Sequence, residues 1–150
     1  MSGWLLDTNV LSELRRPNPS RKVTAFVGNE ALDRLYVSAV TFAEIRFGIE
    51  RVADPSRRSE LTLWLDNRLR AMFDGRVLDI TEDILLKWRL LIEAGRQRGH
   101  TFSHPDVLIA ATAAHHDLTV VTRNTGEFEA AGNAVFNPWT GKTTAARSKG

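Results

Sequence analysis

Short runs of strand-forming residues alternate with segments of helical period along nearly the whole chain, and that alternation leaves few folds open. Trp4-Leu5-Leu6 is an apolar run ending in Asp7-Thr8-Asn9, three residues that favour turns and helix caps. Val10, Leu11 and Leu14 then recur at helical spacing until Pro17 and Pro19 stop the helix. A second helix is expected from Ser20, with Val23, Phe26 and Val27 on one face. Leu35-Tyr36-Val37-Ser38 reads as the next strand, and Thr41-Phe42-Ala43-Glu44 as a capping box opening a helix through about Ile49. From Pro55 to Phe73 the apolar residues Leu61, Trp64, Leu65, Leu69 and Met72 predict one long amphipathic helix. Arg76 to Ile80 is a third strand, and Thr81-Glu82-Asp83 caps a helix running to Gly95 or Gly99. Ser103-His104-Pro105-Asp106 starts a helix whose Ala110, Ala111 and Ala113 allow close approach to a sheet. Leu118 to Val121 forms a fourth strand, Ala134-Val135-Phe136 a fifth, and the chain beyond Trp139 is expected to be disordered. Parallel strands need crossovers, so this order predicts an α/β fold: a three-layer α/β/α sandwich around a central parallel sheet of about five strands.

A length of 150 residues fits one domain with a substantial core. The chain has no cysteine, which excludes disulfide staples and cysteine zinc sites and suits a reducing, cytoplasmic setting. No apolar run approaches the roughly 18 residues of a spanning helix, so no membrane association is expected. The formal charge is only +2, carried mainly by arginine, whose planar fork suits phosphate oxygens. That balance alone does not establish nucleic-acid binding.

In an open parallel sheet, ligands bind outside the carboxyl ends of the strands. Asp7 ends the first strand, Glu44 lies in the first turn of the helix after the second, Asp106 lies in the first turn of the alanine-rich helix, and Asn124 ends the fourth strand. Each acid has a structural reading: Asp7 as a cap, Glu44 as the partner of the capping box, Asp106 as the complement of a helix dipole. Together at one edge the three would repel unless a cation neutralises them or protons are taken up. Oxygen ligands without cysteine or clustered histidine favour a hard cation, Mg²⁺ or Mn²⁺, and hence a phosphate substrate. Thr8, Asn9, Thr122 and Arg123 would orient these acids or meet phosphate oxygens.

Four ordered segments carry a family resemblance: Leu-Leu-Asp-Thr-Asn-Val-Leu-Ser-Glu from Leu5, Ser-Ala-Val-Thr-Phe-Ala-Glu-Ile-Arg-Phe-Gly from Ser38, Asp-Val-Leu-Ile-Ala-Ala-Thr-Ala from Asp106, and Val-Thr-Arg-Asn-Thr-Gly-Glu-Phe from Val121. Here the chain resembles the PIN-domain family and, within it, the VapC and FitB-like toxins of bacterial toxin–antitoxin pairs. The closing Ala-Val-Phe-Asn-Pro-Trp from Ala134 is similar to the FitB-like branch. The resemblance implies a PIN-like nuclease domain over residues 1–139, with 140–150 as a disordered basic tail. It implies an endoribonuclease dependent on Mg²⁺ or Mn²⁺, acting on RNA such as transfer RNA. It further implies homodimers, inhibition by a cognate antitoxin, and contact with operator DNA only through that antitoxin. Asp7, Glu44 and Asp106 fall on the family's metal-binding acids, and Thr8, Asn9 and Thr122 on neighbouring polar positions. Where many members have a fourth acid this chain has Asn124, which can offer only a carbonyl oxygen or a contact through water. Glu127, three residues on, could compensate.

Two other functions fit parts of the pattern. A phosphatase using Asp7 as nucleophile would want another acid two residues later, where Asn9 stands. A catalytically inactive module that holds an antitoxin is compatible with Asn124. Gly141-Lys142-Thr143 mimics the end of a phosphate loop without its strand-to-helix context, His100 and His104 flank an irregular connection, and Ser12 and Ser38 lack a nucleophile elbow. Losing one ligand charge at Asn124 should weaken a second metal more than the first. Calorimetry on the free protein is therefore expected to show one tight Mn²⁺ site, and two tight sites would contradict that expectation.

Overall fold

The computed structural model describes residues 3–147, in which six strands form one sheet of order β3-β2-β1-β4-β5-β6. The strands are β1 (Trp4–Leu6), β2 (Leu35–Ser38), β3 (Val77–Leu78), β4 (Thr119–Val121), β5 (Val135–Asn137) and β6 (Lys142–Thr144). β1 to β5 run parallel, and β6 pairs antiparallel with β5. The helices are α1 (Thr8–Leu14), α2 (Arg21–Asn29), α3 (Ala39–Glu50), α4 (Pro55–Trp64), α5 (Arg70–Met72), α6 (Glu82–Gln97), α7 (His104–His116) and α8 (Thr125–Ala130).

Strand alternation divides the core into two layers. Leu6 and Val121 face one side with Val10, Leu11, Val23, Leu35, Val37 and Phe42, covered by α1 to α4. Leu5 and Val120 face the other with Ile109, Ala110, Ala113, Phe128 and Val135, covered by α7 and α8. The expected three-layer α/β/α arrangement is therefore present, and Ala110, Ala111 and Ala113 of α7 are buried as expected.

The predicted long helix from Pro55 to Phe73 is present but contains a π-helical segment, Leu65–Leu69, between α4 and α5. Leu61, Leu65, Leu69 and Phe73 are all buried at four-residue spacing. In a regular helix that spacing drifts by about 40° per step, and the wider π turn counteracts the drift, keeping all four against the core.

Two expectations are corrected. The sheet has six strands, and part of the predicted disordered tail, Lys142–Thr144, is the sixth. A tight turn returns the chain from β5: Thr140 N and Gly141 N both donate to the Asn137 carbonyl oxygen, at 3.3 and 2.7 Å, with Gly141 at φ 81°. Thr144 Oγ1 then donates to Glu129 Oε1 at 3.0 Å, and the Arg147 guanidinium to the Ala130 carbonyl oxygen at 2.7 Å. A polar three-residue edge strand has no apolar run to betray it. The end of the predicted tail, residues 148–150, lies outside the described residues. The second correction concerns Glu44: α3 begins at Ala39, capped by Ser38 Oγ accepting from Val40 N at 3.1 Å, so Thr41 and Glu44 form no capping box.

A chain ending at Thr140 should lose the β5–β6 pairing and the anchors of Thr144 and Arg147, costing about 1–3 kcal/mol on the scale of a few lost hydrogen bonds. Thermal denaturation checks this, and an unchanged midpoint would show that the strand contributes nothing.

Candidate active site

The chain order reverses at β1: β2 and β3 extend the sheet on one side, β4 and β5 on the other. Such a switch point opens a crevice between the carboxyl ends of two neighbouring strands, here β1 and β4. Register brings Leu6 opposite Val121, and Asp7 N donates to the Val121 carbonyl oxygen at 3.0 Å. Asp7 and Thr122, the residues just past the two strand ends, therefore meet.

Asp7 is buried, and its carboxylate is held on several sides. Oδ1 accepts from Thr8 N at 2.8 Å, which caps α1, while Oδ2 accepts from Thr122 Oγ1 at 2.8 Å and from Asn9 Nδ2 at 3.4 Å. Asn9 also donates to Thr122 Oγ1 at 3.1 Å and accepts from Arg123 N at 3.2 Å. Asn124 N donates to Thr122 Oγ1 at 2.9 Å, and its side-chain amide donates to Asp106 Oδ2 at 3.0 Å. One polar network thus runs from the end of β1 through the end of β4 to the first turn of α7.

Asp7, Glu44, Asp106 and Asn124 line a single cleft of about 700 Å³ with Thr8, Asn9 and Arg123. Burial raises the pKa of Asp7 above the ordinary carboxylate range, the hydrogen bonds from Thr122 and Thr8 lower it in part, and the charge of Asp106 raises it further. Asp106 is also raised, first by burial and then by the charge of Glu127, against hydrogen bonds from Ser103 and Asn124. Glu44 is exposed at the cleft lip. Among the described residues no three His, Asp or Glu side chains are gathered as a ready-made metal cluster. The expected acids thus share a cleft without closing on a common point, and Asn124 already occupies one oxygen of Asp106.

A PIN domain model matches residues 4–133 of this chain. The chain belongs to the PIN domain family. It is 39% identical to Toxin FitB of Neisseria gonorrhoeae over 135 residues, covering 90% of this chain and 97% of that protein. It is 38% identical to VapC ribonuclease Y4jK of Sinorhizobium fredii, covering 90% and 96%. The crystal structure of FitAcB from Neisseria gonorrhoeae superposes with a TM-score of 0.86 over 91% of this chain and 98% of that one, at 39% identity.

In this PIN domain Glu127 does not line the cleft itself and stands behind Asp106. Its Oε1 accepts from Ser103 N at 2.8 Å at the start of α7, and its Oε2 lies 3.8 Å from His100 Nε2. It thereby ties down the start of the helix that carries Asp106. His100 rests against the ring of Phe102 with centroids 4.3 Å apart.

Glu13, Arg15, Arg16 and Trp139 also line the cleft and were not anticipated. Glu13 is buried, with Oε2 accepting from Ser20 N at 2.8 Å and Oε1 from Arg16 at 3.3 Å. The Ser20 hydrogen bond, followed by Arg16, holds its pKa below the usual range. Helical spacing was the available signal, since Glu13 stands four residues after Asn9 on α1.

The raised pKa of Asp7 has a definite thermodynamic sign. Between its ordinary pKa and the raised value the folded protein binds more protons than the unfolded chain, so this group's contribution to stability falls as pH rises. In EDTA, the melting temperature of the wild type relative to Asp7→Asn should therefore decline as pH rises from about 4 to 7, and Mg²⁺ should move it back. A difference independent of pH in calorimetric scans would contradict this.

Proposed function

We propose that this protein is a divalent-metal-dependent endoribonuclease acting as the toxin of a toxin–antitoxin pair. The single observation that carries the reading is the buried Asp7 carboxylate, tied to Thr122 and Asn9 at the strand switch and raised in pKa partly by Asp106. Two acids that disfavour each other's charge, joined in one cleft by Glu44 and offering only oxygen donors, suit a hard cation such as Mg²⁺ or Mn²⁺. Relatives named as a toxin and as a VapC ribonuclease support the same reading.

Asp7 and Asp106 would hold the ion, with the exposed Glu44 side chain swinging in from the cleft lip, and the ion when bound would supply a Lewis acid that polarises a phosphoryl oxygen and makes water more acidic. The chain's own groups do the positioning. Thr122 and Asn9 direct the inner carboxylate, Thr8 N anchors its other oxygen, and Asn124 orients Asp106 through its amide. Arg15 and Arg123 line the cleft and would meet phosphate oxygens of the RNA strand, while Arg16 is paired with Glu13.

The partner reading draws on the related structures, among them FitAB bound to a DNA fragment at TM-score 0.85 and 38% identity. We infer an antitoxin partner for this chain, with operator DNA reached through it, and a homodimer of the PIN domain. Exposed apolar side chains are available for such contacts, including Phe47 on α3, Leu63 on α4 and Leu86 and Leu90 on α6. Among the described residues no helix is long and apolar enough to cross a membrane. A cytoplasmic location, where RNA and an antitoxin are both encountered, accords with the proposed activity.

A second reading is a catalytically weak module whose main task is to hold the antitoxin, and the amide of Asn124 on Asp106 favours it. An assay on total and transfer RNA separates the two. Cleavage is expected with Mg²⁺, lost in EDTA and reduced at least a hundredfold by Asp7→Asn, on the scale of a removed electrostatic group in an active site. Expression of the wild type should arrest growth and Asp106→Asn should relieve the arrest. Cleavage that survives EDTA or Asp7→Asn would overturn the nuclease reading, and antitoxin binding without any cleavage would favour the module.

A further inference from the structure

The walls of the cleft differ in chemistry. Asp7, Glu44 and Asp106 supply carboxylates, whereas Arg15, Arg16, Arg123 and Trp139 supply guanidinium groups and one indole. Arg16 is committed to Glu13. Arg123 instead lies over Trp139, its guanidinium carbon 5.2 Å from the ring centroid.

Both members of that pair are held from behind. Arg123 N donates to Asn9 Oδ1 at 3.2 Å, so its backbone belongs to the network that fixes Asp7. Trp139 N donates to Asn137 Oδ1 at 2.9 Å within the β5–β6 turn, and the ring packs partly against the apolar core while remaining half-exposed. The result is a guanidinium over an indole on the same cleft as the acids, with the backbone of each residue tied in place. Stacking on aromatic rings and guanidinium planes is how proteins hold unpaired bases, and a base inside a duplex has no free face to offer.

We propose that Arg123 and Trp139 form a base-stacking subsite that holds an unpaired nucleotide of single-stranded RNA beside the phosphate facing Asp7 and Asp106. The proposal rests on the nuclease reading for the identity of the ligand and adds to it a selection for unpaired sequence. Arg123 contributes a charge and Trp139 an aromatic face, both on the cleft lining. Trp139 is then a residue for substrate selection, and its loss should raise KM more than it lowers kcat.

The test uses end-labelled RNA pentanucleotides of A, C, G or U with protein carrying Asp7→Asn to prevent turnover. Binding is read by anisotropy and by tryptophan fluorescence. Quenching is expected on binding and should fall by more than half when Trp139→Phe is added, since that variant keeps a ring but removes the reporting indole. Trp139→Phe should retain affinity within about threefold, Trp139→Leu should lose about tenfold, the scale of one lost base stack, and a long blunt-ended RNA duplex should compete at least tenfold less well. In the protein with Asp7 intact, Trp139→Leu should raise KM about tenfold with kcat within twofold, a split that loosened packing alone would not give. Unaltered affinity in Trp139→Leu, full quenching in Trp139→Phe, equal competition by duplex, or no binding of any pentanucleotide would each overturn the subsite. If no RNA is cleaved by the intact protein yet binding still depends on Trp139, the nuclease reading fails and the subsite stands. If cleavage and KM are unchanged in Trp139→Leu, the reverse holds.

Discussion

The hydrogen bond from the Thr122 hydroxyl to Asp7 Oδ2 joins the ends of β1 and β4, the two strands between which the sheet changes direction. A buried carboxylate is costly unless its oxygens are matched, and here every matching donor comes from the chain immediately after those strands. The same contact that satisfies Asp7 therefore fixes Asn9, Arg123 and Asn124, because each bonds either to Thr122 or to another member of the network. Sheet register and site geometry are one arrangement.

Asp7 also shows that a structural and a functional reading of one residue can both hold. It caps α1 through Thr8 N, as a cap should, yet a cap on the surface would not carry a pKa raised by burial and by a second acid. Glu127 divides in the opposite direction. Its carboxylate is spent on Ser103 N, and it reaches the site only through the placement of α7 and the charge it presents to Asp106.

Most of the fold was legible because strand and helix periods are written in apolar residues, and Leu5, Leu6, Val120 and Val121 divide between the two core layers as alternation requires. The acids Asp7 and Asp106 were legible because strand ends and first turns are short-range features. Glu44 lines the cleft but stands one turn further into its helix than the capping-box pattern implies, since Ser38 outcompetes Thr41 as the cap. The sixth strand, the π turn at Leu65–Leu69 and the arrival of Arg15 and Trp139 beside Arg123 depend on contacts between distant parts of the chain, which no local pattern records.

The β5–β6 turn has a consequence for how damage would travel through the molecule. Trp139 rides in the bend between the last two strands, far along the chain from Asp7 but on the same opening. Fraying that begins at the outer edge of the sheet would reach the rim of the cleft before it reached the buried carboxylate. A partly worn molecule would then grip its strand of RNA less selectively while its acids were still in place, and discrimination would fade ahead of chemistry.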